Sequence, residues 1–174
     1  AVYRGAPYGG REKTRTGMNI DLVVVGRTNV PFVETGMEEY VRRLTRYVRF
    51  SVVTVPDIRG GGSLSETELR RREGEALAAV LEPYDRIVLL DEHGTERSSE
   101  ELASWLEEAM NRSVRRLAFV VGGAYGFSDK VRAVTGERLS ISRMTFSHQM
   151  IRLLFVEQLY RAFTIIRKEP YHHR

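Results

Sequence analysis

The chain contains no cysteine, which excludes disulfides, thiolate nucleophiles and zinc sites built on sulfur. Nor does any stretch approach the roughly 18 uninterrupted apolar residues that span a bilayer, and the first residues hold no apolar core of a secretion signal. The expected compartment is the cytoplasm. No G-x-x-x-x-G-K-[ST] segment offers a phosphate cradle, no G-x-G-x-x-G follows the first strand-like run, and no G-x-S-x-G elbow presents a nucleophilic serine. What remains is a 174-residue chain, 42% hydrophobic and 29% charged, as expected of one soluble globular domain.

Lysine is also scarce, 3 against 24 arginines. A planar guanidinium binds phosphate bidentately and stacks on bases, so this bias fits a nucleic-acid partner; composition bias in a GC-rich genome explains it equally well. The formal charge of +4 is unevenly placed. Residues 1–17 carry +3 of it, residues 18–137 sum to −4, and residues 138–174 hold +5. Positive charge therefore gathers in the last part of the chain.

Residues 1–17, rich in Gly, Arg and Thr, show no apolar period and read as an unstructured leader or tag remnant, with Met18 a plausible natural start. Residues 18–174 read as a single domain. Asn19–Val25 is strand-like, and Phe32, Met37, Tyr40, Val41 and Leu44 fall at helical spacing. Phe50–Val55 is a second strand, and Pro56–Leu64, with three successive glycines, a flexible loop. Ser65 with Glu68, and Ser98 with Glu101, form capping-box signatures for two helices, the first running to about Leu81 and the second through Leu102, Trp105, Leu106 and Ala109. Asp85–Leu90 is the third strand and Leu117–Val121 the fourth. A short helix is expected over Ser128–Thr135 and a last short strand over Leu139–Ile141. Strands alternating with helices predict an α/β fold, a mostly parallel sheet flanked by helices.

The final helix, about His148 to Arg167, is apolar on more than the roughly 100° stripe that one sheet face needs. Homodimerisation through this helix accounts for the surplus; a central helix buried within one subunit is the alternative.

Chemistry is expected at the strand ends, where α/β folds place ligands. Gly122, Gly123 and Gly126 in VVGGAYGF permit close backbone approach after the fourth strand, although a simple tight turn has the same composition. The loop ISRMTFSH combines hydroxyls and apolar side chains without a carboxylate, which suits an adenosine-like group enclosed by Ile141, Met144 and Phe146 better than a metal. Asp91-Glu92-His93-Gly94 is a second rim element, or a charged surface turn. His172 and His173 lack a carboxylate spacing that completes a metal site, so no metal is expected.

Four segments in order, LLDEHGTERSSEELA, FVVGGAYGFS, LSISRMTFSHQMIRLLFVEQLYRAF and PYHH, resemble the RlmH family of SPOUT-class 23S rRNA pseudouridine N3-methyltransferases over Met18–Arg174. The resemblance implies a C-terminal trefoil knot, an obligate homodimer, and S-adenosylmethionine held at Leu90, Gly122 and Ile141–Phe146, that is Ile141, Ser142, Arg143, Met144, Thr145 and Phe146. The partner implied is 23S rRNA, within an assembled ribosome. For the transfer itself, Arg152, His148, Tyr171 and His172 are the catalytic candidates, the tail reaching the site in cis or from a second copy. An assembly factor that keeps the fold without catalysis, or a SPOUT enzyme acting on another nucleotide, are the competing readings.

Overall fold

The computed structural model describes residues 2–4, 16–58 and 63–173, and for Tyr3 and Arg4 the backbone alone. Most of the leader and the glycines of the Pro56–Leu64 loop lie outside the described residues. Eleven elements follow one another: β1 (Tyr3–Arg4), β2 (Asn19–Val25), α1 (Pro31–Leu44), β3 (Arg49–Val55), α2 (Glu66–Leu81), β4 (Arg86–Glu96), α3 (Ser99–Asn111), β5 (Arg116–Val121), α4 (Asp129–Val134), β6 (Arg138–Ser140) and α5 (Met150–Ile166). The sheet order is β1-β3-β2-β5-β4-β6, with β2 to β6 parallel and β1 antiparallel on the edge of β3. Leader residues thus reach the sheet, Tyr3 opposite Thr54 and Arg4 opposite Val53, a pairing that the polar leader composition did not signal.

Alternation along the central strands sorts the core into two layers, because successive side chains of a strand point to opposite faces. Ile20, Leu22, Val24, Phe119 and Val121 face α1, α3 and α5, while Val23, Val25, Ala118 and Val120 face α2 and α4. Phe119 meets Phe155 of α5 with ring centroids 4.6 Å apart. Truncating a buried ring of this kind costs on the order of 3–5 kcal/mol.

Helix starts follow the expected chemistry unevenly. At α3 the full capping box forms, Ser98 Oγ accepting from Glu101 N–H and the Glu101 carboxylate accepting from Ser98 N–H. At α2 only half forms: Ser65 Oγ accepts from Glu68 N–H, but the Glu68 carboxylate turns outward to Arg71 and Arg72. The guanidiniums draw that carboxyl down to about 2.

One expectation changes. The third strand does not stop at Leu90: after an irregularity between Leu90 and Thr95 it continues to Glu96 and pairs with β6. Gly94 makes this possible, since a Cβ there would lie 2.7 Å from the Arg138 carbonyl carbon. The surplus apolar surface of α5 also has an answer within the chain, because α5 lies between α1 and α3 and packs against both. Met150, Ile151, Leu153 and Leu154, in its first turns, remain half-buried.

Candidate cofactor and substrate site

Where β4 turns irregular after Leu90, and at the carboxyl ends of β5 and β6, a cavity of about 450 Å3 opens, within the roughly 300–1,000 Å3 typical of small-molecule sites. Leu90 and Val121 form its floor, Gly122, Gly123, Ala124 and Gly126 one wall, and Ile141, Ser142, Met144, Thr145 and Phe146 the opposite wall. His148 and Ile151 close it at the start of α5.

Each wall has a local cause. Gly126 takes a φ of +75°, and its N–H donates to the Gly123 carbonyl at 3.1 Å, which folds the turn back on itself. At Gly122 a side chain would crowd Phe127, whose ring lies 3.2 Å from the Cβ position. On the other wall, Ser140 Oγ donates to the Ser142 carbonyl at 2.9 Å and Met144 N–H donates to Ser142 Oγ at 3.0 Å, so serines shape the loop from within. Ser147 Oγ then accepts from Met150 N–H at 3.1 Å and starts the last helix. Gln149 anchors that helix to the β2–α1 connection, accepting from Asn29 N–H and donating to the Arg27 carbonyl, both at 3.0 Å.

The rim carries charge that is already engaged. Asp91 pairs with Arg132 at 3.0 Å, and Glu92 accepts from the Thr145 hydroxyl, tying the β4 rim to the loop. His148 is pushed below its ordinary value, first by burial and then by the charge of Arg152, with Asp57 opposing. Its imidazole is therefore neutral at pH 7, with a free lone pair on one ring nitrogen.

Leu90, Gly122, Ile141, Ser142, Met144, Thr145, Phe146 and His148 thus meet around one cavity. Four expected residues do not. Arg143 points away, exposed and 3.1 Å from Glu96. Arg152, a candidate for contact with the reacting base, is completely buried beneath the site. Its Nε donates to the His148 carbonyl at 2.9 Å, Nη1 to the Gly26 carbonyl at 2.9 Å and Thr28 Oγ1 at 3.1 Å, and Nη2 to the Val25 carbonyl at 2.8 Å. In that position it braces the end of β2 against α5. Tyr171 and His172 lie against α5 and α3 instead of the cavity: Tyr171 Oη donates to Glu157 at 3.0 Å, and the His172 ring sits between Arg161 at 3.2 Å and Glu100 at 3.1 Å. Burial, with hydrogen bonds to Tyr40 and Glu157, pushes the Tyr171 phenol well above its ordinary range. Conversely, Arg132 lines the cavity although no motif marked it. An amphipathic short helix gives no sign of which residue turns toward a pocket.

No group of His, Cys, Asp and Glu residues suited to a metal occurs among the described residues. The donor set fits S-adenosylmethionine: backbone groups of two loops, apolar walls for an adenine ring, and small hydroxyls, beside a turn in which a Cβ at Gly122 would crowd the lining ring of Phe127.

A parallel α/β sheet with a small-molecule cavity at its strand ends, closed by the loop that leads into the last helix, defines a ligand-binding α/β domain of the kind that serves group transfer. Comparison with known proteins narrows this. The family model described as "Predicted SPOUT methyltransferase" matches residues 18–172. The chain is 51% identical over 156 residues to the ribosomal RNA large subunit methyltransferase H of Porphyromonas gingivalis, covering 90% of this chain and 99% of that one. It is 47% identical to the protein of the same name from Parabacteroides distasonis, over the same shares. Among solved structures, a probable methylase family protein from Haemophilus influenzae superposes with a TM-score of 0.53 at 10% identity, over 91% of this chain and 72% of that one. The chain belongs to the SPOUT methyltransferase family and, within it, to the RlmH family.

Proposed function

We propose that this chain transfers a methyl group from S-adenosylmethionine to N3 of a pseudouridine in 23S rRNA, acting on the assembled ribosome in the cytoplasm. The observation that carries the reading is the single cavity bounded by the glycine turn and the Ile141–Phe146 loop, with a neutral His148 on its wall. When bound, the cofactor supplies an electrophilic methyl group on a sulfonium. The protein's part is then to hold the acceptor nitrogen in line at roughly 3–3.5 Å and to take the N3 proton. Leu90, Gly122, Ile141, Ser142, Met144, Thr145 and Phe146 hold the cofactor, and His148 accepts the proton. Arg132, which lines the cavity, and Arg143, whose pair with Glu96 is exposed, are the cations for the developing imide anion.

Phe146 and Tyr125 are exposed beside the mouth; a base stacks on such rings without sequence preference. Affinity for RNA falls with salt, since exposed arginines of residues 138–174 such as Arg143 and Arg167 meet phosphates. Homodimerisation through α5 belongs to the same reading, supported by the half-buried Met150, Ile151, Leu153 and Leu154 and the exposed Phe32 on neighbouring α1. So do the trefoil knot in the C-terminal segment and the division into a leader, residues 1–17, whose Tyr3 and Arg4 pair with β3, and one catalytic domain over 18–174. Among the described residues no helix is long and apolar enough to cross a membrane.

The test is mass-spectrometric mapping of 23S rRNA from cells lacking the protein, alongside calorimetry of the purified chain with S-adenosylmethionine. Loss of one N3-methylpseudouridine, restored by the gene, is expected. An unchanged modification pattern overturns the substrate, and absence of cofactor binding to the folded protein overturns catalysis in favour of an assembly factor.

A further inference from the structure

Behind the glycine turn, on the sheet face opposite α5, stands a carboxyl group that the proposed transfer does not use. Glu73 of α2 is only 9% exposed, within a run of helix whose other inward residues are Gly74, Leu77 and Leu81. Its Oε1 accepts from Gly123 N–H at 3.2 Å. No cation balances it among the described residues: the groups that act on it are the Gly123 amide and the like charge of Asp57, which leads from β3 toward α2. Burial first, and Asp57 after it, push this carboxyl above its ordinary value, while the Gly123 bond works the other way. A buried carboxyl without a cationic partner is costly, so its presence calls for an explanation beyond packing.

Gly123 is fitted to it. A Cβ at position 123 would lie 2.4 Å from Glu73 Oε1 and 2.8 Å from Oε2. Next to Glu73 the helix carries Gly74, where a Cβ would meet Ser128 Oγ at 2.0 Å, so α2 presses against both the turn and the start of α4. On its other side the same turn lines the cavity. We infer that Glu73 is a positioning residue for the cofactor: by accepting the Gly123 N–H from behind, its carboxyl fixes the orientation of the Gly122–Gly126 backbone that faces S-adenosylmethionine. The inference rests on the cofactor reading given above.

Glu73→Gln keeps the acceptor oxygen, whereas Glu73→Met keeps the length and removes it. Calorimetry is expected to show S-adenosylmethionine binding within about twofold of the parent for the Gln variant and roughly tenfold weaker for the Met variant, the size of one lost hydrogen bond to a buried group. In 15N NMR spectra of the ligand-free protein, the Gly123 amide resonance should move less in E73Q than in E73M, where it moves upfield. Equal binding by all three chains, or a Gln variant as weak as the Met variant with an unmoved Gly123 resonance, overturns the inference. Should both variants fail to fold, the unsubstituted chain still decides: its Gly123 amide resonance must titrate above the ordinary carboxylate range, and a pH-independent resonance refutes the coupling. If the parent binds no cofactor while Gly123 follows Glu73, the cofactor reading fails and the contact stands.

Discussion

Substitution of Arg152 by methionine separates a structural brace from a group that touches the reacting base. Methionine retains much of the stem, so the cavity left is small and the cost comes from acceptors. The guanidinium donates to three backbone carbonyls, of Val25, Gly26 and His148, and to Thr28 Oγ1. Bonds from a charged donor are worth about 1.5–3 kcal/mol each, giving a gross loss of about 6–12 kcal/mol for the set. Against this, the chain no longer desolvates a charge, a recovery of several kcal/mol. Burial lowers the Arg152 pKa only to about 10, so the cation is present at neutral pH and this recovery is real. The net expectation is about 3–5 kcal/mol of destabilisation, the range for removing one partner of a buried polar set. With a urea dependence of about 2 kcal/mol per molar, the denaturation midpoint falls by about 2 M. Arg152→Lys should lie between, since one ammonium cannot span acceptors on β2, the following loop and the turn that precedes α5. A midpoint shift below about 0.5 M, equivalent to about 1 kcal/mol, together with loss of methyl transfer would refute the brace and return Arg152 to the reacting base.

Three further outcomes are expected. Gly94→Ala places a Cβ 2.7 Å from the Arg138 carbonyl carbon and 2.8 Å from Leu139 N, so β4 and β6 must part; thermal unfolding should report a loss of about 1–3 kcal/mol, and an unchanged melting temperature would contradict the close pairing. Because His148 sits below its ordinary value, and only its neutral form accepts a proton, kcat/KM should fall as pH drops through a point under about 6.5, with His148→Ala losing that limb; a limb at or above neutrality speaks against His148. Removing Tyr171–Arg174 should leave S-adenosylmethionine binding nearly intact and lower transfer, measured by calorimetry and methyl incorporation, while equal loss of both would make the tail a cofactor clamp.

Periodicity made the strands and helices legible, because the feature it reads, burial of one face, is the one that orders the sheet. It also located the cavity, since strand ends and the loops after them could be counted from Leu90, Val121 and Leu139. What escaped were features fixed by contacts between distant positions. Asp91-Glu92-His93-Gly94-Thr95-Glu96 carries turn-like composition, yet it continues as strand because Gly94 lets β6 approach. Arg152 reads as one more arginine in a basic segment; its burial depends on carbonyls of Val25 and Gly26, more than a hundred residues earlier. The apolar surplus of α5 pointed to a second subunit, but α1 and α3 supply much of the cover, and no local pattern distinguishes those two sources.

The distribution of charge around the cavity constrains how a methyl acceptor is handled. Asp91 is held by Arg132 and Glu92 by Thr145, so neither carboxylate is free to take a proton without breaking a contact. The Tyr171 phenol is kept protonated by its surroundings, and the His172 ring is occupied on both nitrogens by Arg161 and Glu100. His148, half-buried on the cavity wall beside the exposed His93 of the rim, is thus a base that needs no rearrangement. The cation is different: Arg132 is committed to Asp91, and Arg143 is anchored only by an exposed pair with Glu96, worth no more than about 1 kcal/mol. Swinging Arg143 inward costs little, whereas undocking the tail breaks contacts to Glu157, Arg161 and Glu100 together. On the proposed reading, the acceptor base therefore draws its proton acceptor from His148 and its cation from Arg143. A tail from a second copy would act on top of this pair, which predicts that Arg143→Ala lowers kcat in chains that retain an intact tail.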